Sequence, residues 1–231
     1  MKILCIGDVV GRCGAEMVQT QLPYLIKEEN LDFVIANGEN ATTGNGINRE
    51  RADMLLDAGV DVITMGNHTF AKREICALMQ EGYPIVRPLN LPKGTPGKGA
   101  LVCTRNGVKI GVINLLGRVY LNPCDSPFEA AMRCVEHLEA DIIIVDFHAE
   151  ATSEKAAMAW YLDGKVSAVF GTHTHVQTAD ERILPKGTGF LTDLGMTGPY
   201  QSILGVDKDI AVRKFVTLMH ERYQIAEGNG I

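Results

Sequence analysis

Phe33-Val34-Ile35-Ala36-Asn37-Gly38-Glu39-Asn40 is an apolar run that ends in a glycine, a carboxylate and an amide. Apolar runs of about four to eight residues that are bounded by Gly or Asn are typical of buried strands in a parallel sheet. Ligands of open α/β sheets bind beyond the carboxyl ends of such strands. The stretch therefore predicts a buried strand and a polar site at its end.

The same arrangement recurs at four other apolar runs. The polar residues that follow these runs are Asp8, Asn67 with His68, His148, and His173 with His175. Because the carboxyl ends of parallel strands meet at the same edge, we expect all these side chains on one rim of one sheet. Carboxylate, amide and imidazole groups together are the ligands of a hydrolytic metal centre, and their number favours two metal ions.

Hydrophobic periodicity predicts alternating strands and helices. Strands are predicted at 2–7, 32–37, 61–65, 84–87, 141–147 and 166–171, and helices at 14–29, 48–58, 71–81, 126–138 and 153–163. Residues 100–113 predict a hairpin that turns at Asn106-Gly107. Pro23 predicts a kink in the first helix or a later start. Short β segments are predicted after residue 171, to about Ile225.

These elements predict an α/β fold with two packed β-sheets flanked by helices. The first half of the chain is typical of βαβ units, and the second half is richer in strands. The Pro/Gly loop at 90–99 is the only candidate boundary, and we do not divide the chain there. Residues 1–231 are therefore predicted to form a single domain.

The composition favours a soluble protein with a small partner. The chain has 231 residues, of which 46% are hydrophobic, and a net charge of -6. An acidic chain lacks the basic footprint for DNA or long RNA, whereas bound cations would still allow a small phosphate ester. No apolar run approaches the ~20 residues of a transmembrane helix. We expect a cytoplasmic protein without a membrane partner, and the sequence is compatible with a monomer or a homo-oligomer.

Six cysteines occur without any Cys-x-x-Cys pair, and none lies beside the histidine-rich segments. This spacing predicts free, mostly buried thiols in a reducing compartment.

The histidine-rich segment His173-Thr174-His175 is the strongest local metal signal, because neutral imidazole is the commonest side-chain metal ligand. The alternative is a pair of structural histidines. His148, taken alone, is more typical of a structural residue, and Asp8 alone is equally compatible with a turn or a helix cap. Asp146 lies two residues before His148 and is expected to orient it.

Two motifs that begin with a glycine, Gly38-Glu39-Asn40 and Gly66-Asn67-His68, make the prediction of a metal site more specific. Glycine permits a tight turn that aims the next side chain over the rim. The Glu39 carboxylate can bridge two cations, and the amide oxygen of an asparagine such as Asn40 is a hard, neutral ligand. His68 directly follows Asn67 and can therefore lie near the metals without binding them, which is where a general acid is needed.

Taken together, these motifs resemble the calcineurin-like metallophosphoesterases. The segments 146–163 and 171–205 further resemble the YmdB-like branch of small bacterial phosphodiesterases, and the resemblance covers essentially the whole chain. Two positions depart from the broad superfamily pattern. Val10 stands where a ligand histidine is usual, and Glu39 replaces the usual bridging aspartate.

The resemblance implies a metallophosphoesterase-like sandwich and a role for each motif residue. One metal would be held by Asp8, Glu39, Asn40 and His175, and the other by Glu39, Asn67, His148 and His173. A hydroxide between the metals would attack phosphorus, and His68 would protonate the leaving oxygen. With Asn40 in place of an imidazole, iron or manganese is favoured over zinc. The implied substrates are small phosphodiesters, including cyclic nucleotides such as 2′,3′-cyclic AMP.

Other functions remain open from the sequence. A non-catalytic regulatory protein that retains metals and acts through a partner is compatible with the missing histidine at Val10. A metal amidohydrolase is weaker, because its His-x-His usually lies on an early strand of a barrel. Arg118 could contact a phosphate or be an ordinary surface residue, and the Gly-rich segment 192–199 could border the site or form a series of tight turns.

Overall fold

A computed structural model describes residues 1–43 and 45–230, in which twelve strands and six helices are found. The strands are β1 (Ile3–Ile6), β2 (Asp8–Val9), β3 (Phe33–Asn37), β4 (Val62–Thr64), β5 (Ile85–Val86), β6 (Ala100–Arg105), β7 (Val108–Leu116), β8 (Ile142–His148), β9 (Ala168–Thr172), β10 (Arg182–Ile183), β11 (Gly189–Leu191) and β12 (Met196–Thr197). The helices are α1 (Gly11–Glu29), α2 (Arg49–Asp57), α3 (Ile75–Gln80), α4 (Pro127–His137), α5 (Thr152–Tyr161) and α6 (Lys208–Thr217).

Two larger sheets form the centre of the molecule. The first is parallel, with the strand order β1-β3-β4-β5. The second has the order β10-β11-β9-β8-β7-β6 and is parallel at its centre, with antiparallel strands at both edges. A small pair, β12 with β2, joins the segment after β1 to a segment near residue 196. The prediction of a mixed α/β fold with two packed sheets is thereby confirmed, and open sheets argue against the barrel of an amidohydrolase.

Three apolar layers explain why the strands are buried on both faces. Between the sheets, Phe33 and Ile35 from β3 contact Val112 from β7 and Phe170 from β9 in one cluster. On its other face, the first sheet packs against α1, α2 and α3, and the second sheet packs against α4 and α5. A strand covered on both faces is a continuous apolar run in the sequence, which is the pattern that Phe33 to Ala36 shows.

Capping and turn residues fix several helix and strand boundaries where the sequence predicts them. Ser126 caps α4 by accepting a hydrogen bond from Glu129 N, and Asn48 caps α2 by accepting one from Arg51 N. Asn106 and Gly107 both have positive φ, at 52° and 80°, as a type I′ turn between β6 and β7 requires.

Other boundaries differ from the prediction. The chain from 208 to 217 is the helix α6 and not a β segment, because the Asp207 side chain accepts hydrogen bonds from Asp209 N and Ile210 N at its start. Helix α1 begins at Gly11 rather than late, and it continues through Pro23. Helix α3 begins at Ile75, four residues later than predicted.

All six cysteines are free, as predicted, but they are half-buried and not fully buried. Within the described residues, no helix combines the length and apolarity that a membrane span requires. The assignment of the chain to a single domain stays a prediction.

Candidate metal centre

The eight predicted site residues lie at the carboxyl ends of the strands, but these strands belong to two sheets. Asp8 begins β2 just beyond β1, Glu39 and Asn40 follow β3, and Asn67 and His68 follow β4; β1, β3 and β4 belong to the first sheet. His148 ends β8, and His173 and His175 follow β9, both in the second sheet. The expectation of one rim of one sheet is therefore wrong, because the facing ends of two packed sheets meet to form the site.

His148 is fully buried and is fixed at both ring nitrogens. Its Nδ1 lies 2.9 Å from Thr172 Oγ1, whose hydroxyl donates to Asp146 Oδ1 at 2.7 Å. The opposite nitrogen, Nε2, lies 2.9 Å from Glu39 Oε1 and 3.0 Å from Asn67 Oδ1. Because Thr172 donates its proton to the aspartate, it accepts from Nδ1–H, so Nε2 is the nitrogen that faces the carboxylate and the amide and would ligate a metal ion.

Asp146 orients His148 through Thr172 and not by direct contact. It also accepts hydrogen bonds from Thr64 Oγ1 and, at 3.2 Å, from Asn37 Nδ2. Complete burial raises the pKa of Asp146 to about 6, against the opposing effect of these hydrogen bonds. The expected supporting role of Asp146 thus needs Thr172, a residue that no sequence pattern singles out.

His173 is also contacted at both ring nitrogens, but here Nε2 faces the outer partner and Nδ1 faces the cluster. Its Nε2 lies 3.0 Å from Glu150 Oε2, and its Nδ1 lies 3.1 Å from His148 Nε2. Its backbone N–H donates to Asp8 Oδ2 at 2.9 Å. Glu150 was not predicted as a site residue, although it stands only two positions after His148 and could have been considered.

His175, Asp8 and Asn40 form a second group beside the first. The Nδ1 of His175 lies 2.9 Å from the carbonyl oxygen of Leu204, and its Nε2 lies 3.6 Å from Asp8 Oδ1. Asn40 Nδ2 lies 3.2 Å from both of these inward atoms. Ligation through the Asn40 oxygen therefore requires the amide to turn over, which exchanges its nitrogen and oxygen.

The two carboxylates of the site are fully buried and remain charged. Burial raises the pKa of Asp8, but the nearby imidazoles of His175 and His148 outweigh it and lower the pKa overall. For Glu39, burial also raises the pKa, and the neighbouring His148 outweighs it. Burial lowers the pKa of His148, but Glu39 opposes this and raises it to about 9. Burial of a charged carboxylate costs free energy unless a positive charge lies near it.

His68 lies beside this cluster and contacts Glu39 through its backbone. Its backbone N–H donates to Glu39 Oε2 at 2.8 Å. Its ring Nε2 lies 3.0 Å from Asn45 Nδ2 and 3.2 Å from Asn67 Nδ2. Asn67 therefore touches His148 with its oxygen and His68 with its nitrogen. The contact with Asn45 was not predicted, because Asn45 lies in a loop without a recognisable motif.

The cluster fits metal ions in its chemistry and in its shape. Within the described residues, Glu39 Oε1 is buried and makes no hydrogen bond, although ring nitrogen atoms surround it. Glu39, His148 and His173 offer ligand atoms that all lie within 4.8 Å of one another. A Cβ at Gly66 would collide with Glu39 Oε2 and the His148 ring, so only glycine leaves the carboxylate and imidazole room to converge. A cation would satisfy the lone pairs that converge there.

The segment 192–199 borders the site. Gly195 O accepts a hydrogen bond from Asp8 N at 3.1 Å, and β12 pairs with β2 through Met196 and Asp8. Arg118 is exposed, and its backbone N–H donates to Glu154, so the two interpretations of its side chain stay open.

Comparisons with known proteins show relatives that match nearly the whole chain. A family model described as YmdB-like protein matches residues 4–231. A protein of Bacillus subtilis (strain 168) named 2′,3′-cyclic-nucleotide 2′-phosphodiesterase is 50% identical over 99% of this chain and 87% of its own length. A crystal structure of a hypothetical protein from Thermus thermophilus is 45% identical, with a TM-score of 0.95 over 100% of this chain and 90% of that one.

A crystal structure described as a novel phosphatase from Mycoplasma pneumoniae is 38% identical, with a TM-score of 0.94 over 100% of this chain and 84% of that one. The family resemblance of the motifs and the prediction of a phosphodiesterase are thereby confirmed. The chain belongs to the YmdB-like family of metallophosphoesterases.

Proposed function

We propose that the protein is a dinuclear metal-dependent phosphodiesterase that hydrolyses small phosphodiesters. The observation that carries the proposal is the orientation of its three clustered histidines. Each has one ring nitrogen beside an outer partner, namely Thr172, Glu150 or the Leu204 carbonyl, and its other nitrogen faces the interior of the cluster. Histidines that bind metals almost always donate their second N–H in this way, which fixes the tautomer for ligation.

The ligands divide into two groups in this proposal. Glu39, Asn67, His148 and His173 would hold one metal ion, and Asp8, Asn40, His175 and Glu39 would hold the other, so that both groups share Glu39. The short contacts of His148 Nε2 support the first group, and the mutual approach of Asp8, Asn40 and His175 supports the second.

Metal ions bound there would activate water as the nucleophile and neutralise charge on the phosphoryl oxygens. His68 is the general acid. Its ring Nε2 lies beside the Asn67 amide nitrogen, next to the proposed ligands, where it can donate a proton to the leaving oxygen. Asn67 positions both partners, since its oxygen contacts His148 and its nitrogen contacts His68.

The substrate is a small phosphodiester, and the name of the Bacillus subtilis relative points to 2′,3′-cyclic nucleotides such as 2′,3′-cyclic AMP. The oxygen-rich group around Asp8 and Asn40 favours iron or manganese over zinc. A cytoplasmic location stays a prediction, and the oligomeric state stays open.

The test combines metal analysis with a hydrolysis screen. Protein loaded with Mn²⁺ or with Fe²⁺ is assayed against a linear diester, a monoester, and 2′,3′- and 3′,5′-cyclic nucleotides. We expect two metal ions per chain, turnover of diesters, and loss of turnover after chelation that Mn²⁺ restores. Bound metal without turnover of any of these compounds would instead support a regulatory protein.

Gly66→Ala is expected to damage the site while leaving the sheets intact, because its Cβ would displace Glu39 or His148. A displacement of about 1 Å can lower activity by about 10²-fold. The measurements are kcat/KM and metal content. Gly189→Ala is the matched control, because its Cβ would approach no atom closer than Ser167 O at 3.6 Å. Equal activities of the two variants would contradict the arrangement around Glu39.

A further inference from the structure

A buried ion pair lies behind the histidine segment and outside the proposed ligand set. Lys155 on α5 places its Nζ 2.6 Å from Asp193 Oδ2, and both side chains are only 1% exposed. Removing two charges from water is costly, and a hydrophobic pair of similar volume is often at least as stable. A contribution to the stability of the fold therefore does not by itself explain why the ion pair is present. The other contacts of Asp193 indicate a different role.

Asp193 binds the residue between the two histidines. Its Oδ2 accepts hydrogen bonds from Thr174 Oγ1 at 2.8 Å and from Thr174 N at 3.2 Å. Its Oδ1 accepts from Gly195 N at 2.8 Å, and Gly195 O in turn accepts from Asp8 N. The carboxylate thus connects the centre of the histidine segment with the strand end that carries Asp8.

The backbone on both sides of Thr174 needs such a tether. His173 has φ 102° and His175 has φ 64°, which are uncommon values for residues with a side chain. Conformations of this kind persist only where surrounding contacts determine them. The two hydrogen bonds to Asp193 hold Thr174 between these two residues, and they thereby direct one imidazole to each of the two ligand groups.

The structure also makes room for the lysine. A Cβ at Gly171 on β9 would collide with Thr192 O and would also lie 2.7 Å from Lys155 Cδ, so glycine admits both the neighbouring backbone and the lysine stem. The stem of Lys155 therefore crosses the strand at a glycine just before Thr172. Since Lys155 is fully buried, it cannot touch a substrate, and any effect on the reaction passes through Asp193.

We propose that Lys155 and Asp193 are positioning residues that fix Thr174 and thereby aim His173 and His175 at their metal ions. This inference rests on the proposed metal centre. Lys155 holds the Asp193 carboxylate in place, Asp193 holds Thr174, and the two histidines receive their backbone geometry from that contact.

The test uses Thr174→Val, which removes the hydroxyl donor but keeps the branched shape. Chelator-treated protein is titrated with Mn²⁺ alone by calorimetry, and thermal unfolding is recorded in parallel. We expect Mn²⁺ to bind about 10–100-fold more weakly, which is typical when a partner of a ligand is lost. Thr174→Ser retains the hydroxyl and is expected to bind Mn²⁺ like the unaltered protein. Lys155→Met is expected to weaken binding as Thr174→Val does.

Thr188→Val is the matched control. Thr188 is fully buried and hydrogen-bonded to Val166 O and Gly164 N, and its contacts do not include the histidine segment. Its loss should lower the melting temperature without changing Mn²⁺ affinity. Unaltered affinity in Thr174→Val, or an equal loss in Thr188→Val, would overturn the positioning role while leaving the metal centre standing. Failure of the unaltered protein to bind Mn²⁺ would overturn both.

Discussion

Glu39→Gln is expected to lose metal at both sites and, with it, hydrolysis of phosphodiesters. Glu39 is fully buried, and its Oε1 makes no hydrogen bond within the described residues. Glutamine keeps the shape of the side chain but removes the negative charge and replaces one oxygen by an N–H₂ group. The new N–H₂ group would face either His148 Nε2 or the backbone N–H of His68. It cannot accept a hydrogen bond, whereas the carboxylate oxygen that it replaces can.

The measurement is metal content after desalting, together with turnover of a 2′,3′-cyclic nucleotide. We expect a fall from about two ions per chain to well below one, as a bridging ligand of a two-metal centre implies. Glu129→Gln is the control, because the exposed Glu129 side chain on α4 pairs with Arg133, away from the histidines. Loss of one ion only would identify Glu39 as a ligand that does not bridge. Two tightly held ions would show that the assignment is wrong.

His68→Ala is expected to lower kcat by ~10²–10⁴ while metal content stays near that of the unaltered protein. The backbone N–H that donates to Glu39 is retained in alanine, so the contact closest to the metals survives. The lost group is the ring, whose Nε2 lies beside Asn67 and Asn45. We therefore expect the substitution to impair only the protonation of the leaving oxygen.

Leaving groups of different basicity make this prediction specific. A poor leaving group such as a ribose oxygen needs protonation, whereas an activated nitrophenolate departs without it. The loss should therefore be large for the cyclic nucleotide and small for the nitrophenyl diester. His137→Ala serves as the control, because His137 is exposed at the end of α4, where its Nδ1 lies 2.8 Å from Arg133 O. Full activity of His68→Ala on the poor leaving group would exclude the acid role.

The predicted residues were found together because their signal is local. Each stands directly after an apolar run, and such runs can be recognised without knowledge of their neighbours, as Phe33 to Ala36 illustrates. The sequence did not reveal that the ends of two sheets meet there. That depends on the cluster of Phe33, Ile35, Val112 and Phe170 between the sheets, and no periodicity specifies which apolar face meets which.

The supporting residues were harder to predict for a related reason. Thr172, Glu150 and Asp193 act through contacts with residues that are distant in the sequence or outside any motif, and a lone Thr, Glu or Asp carries no pattern. Helix α6 was missed because Val212, Phe215 and Val216 lend the segment a β-like composition. The capping aspartate Asp207 would have been the better guide.

The contact of His173 N with Asp8 Oδ2 joins residues 165 positions apart, and β2 pairs with β12 near residue 196. During synthesis, Asp8 and Glu39 leave the ribosome long before the histidines that neutralise them. The two carboxylates therefore remain solvated until the histidines have been synthesised. Because pairings between distant residues form slowly, the cluster can form only as a late step of folding. A cell would thus acquire a site able to bind metal only after nearly all of this sequence has been translated.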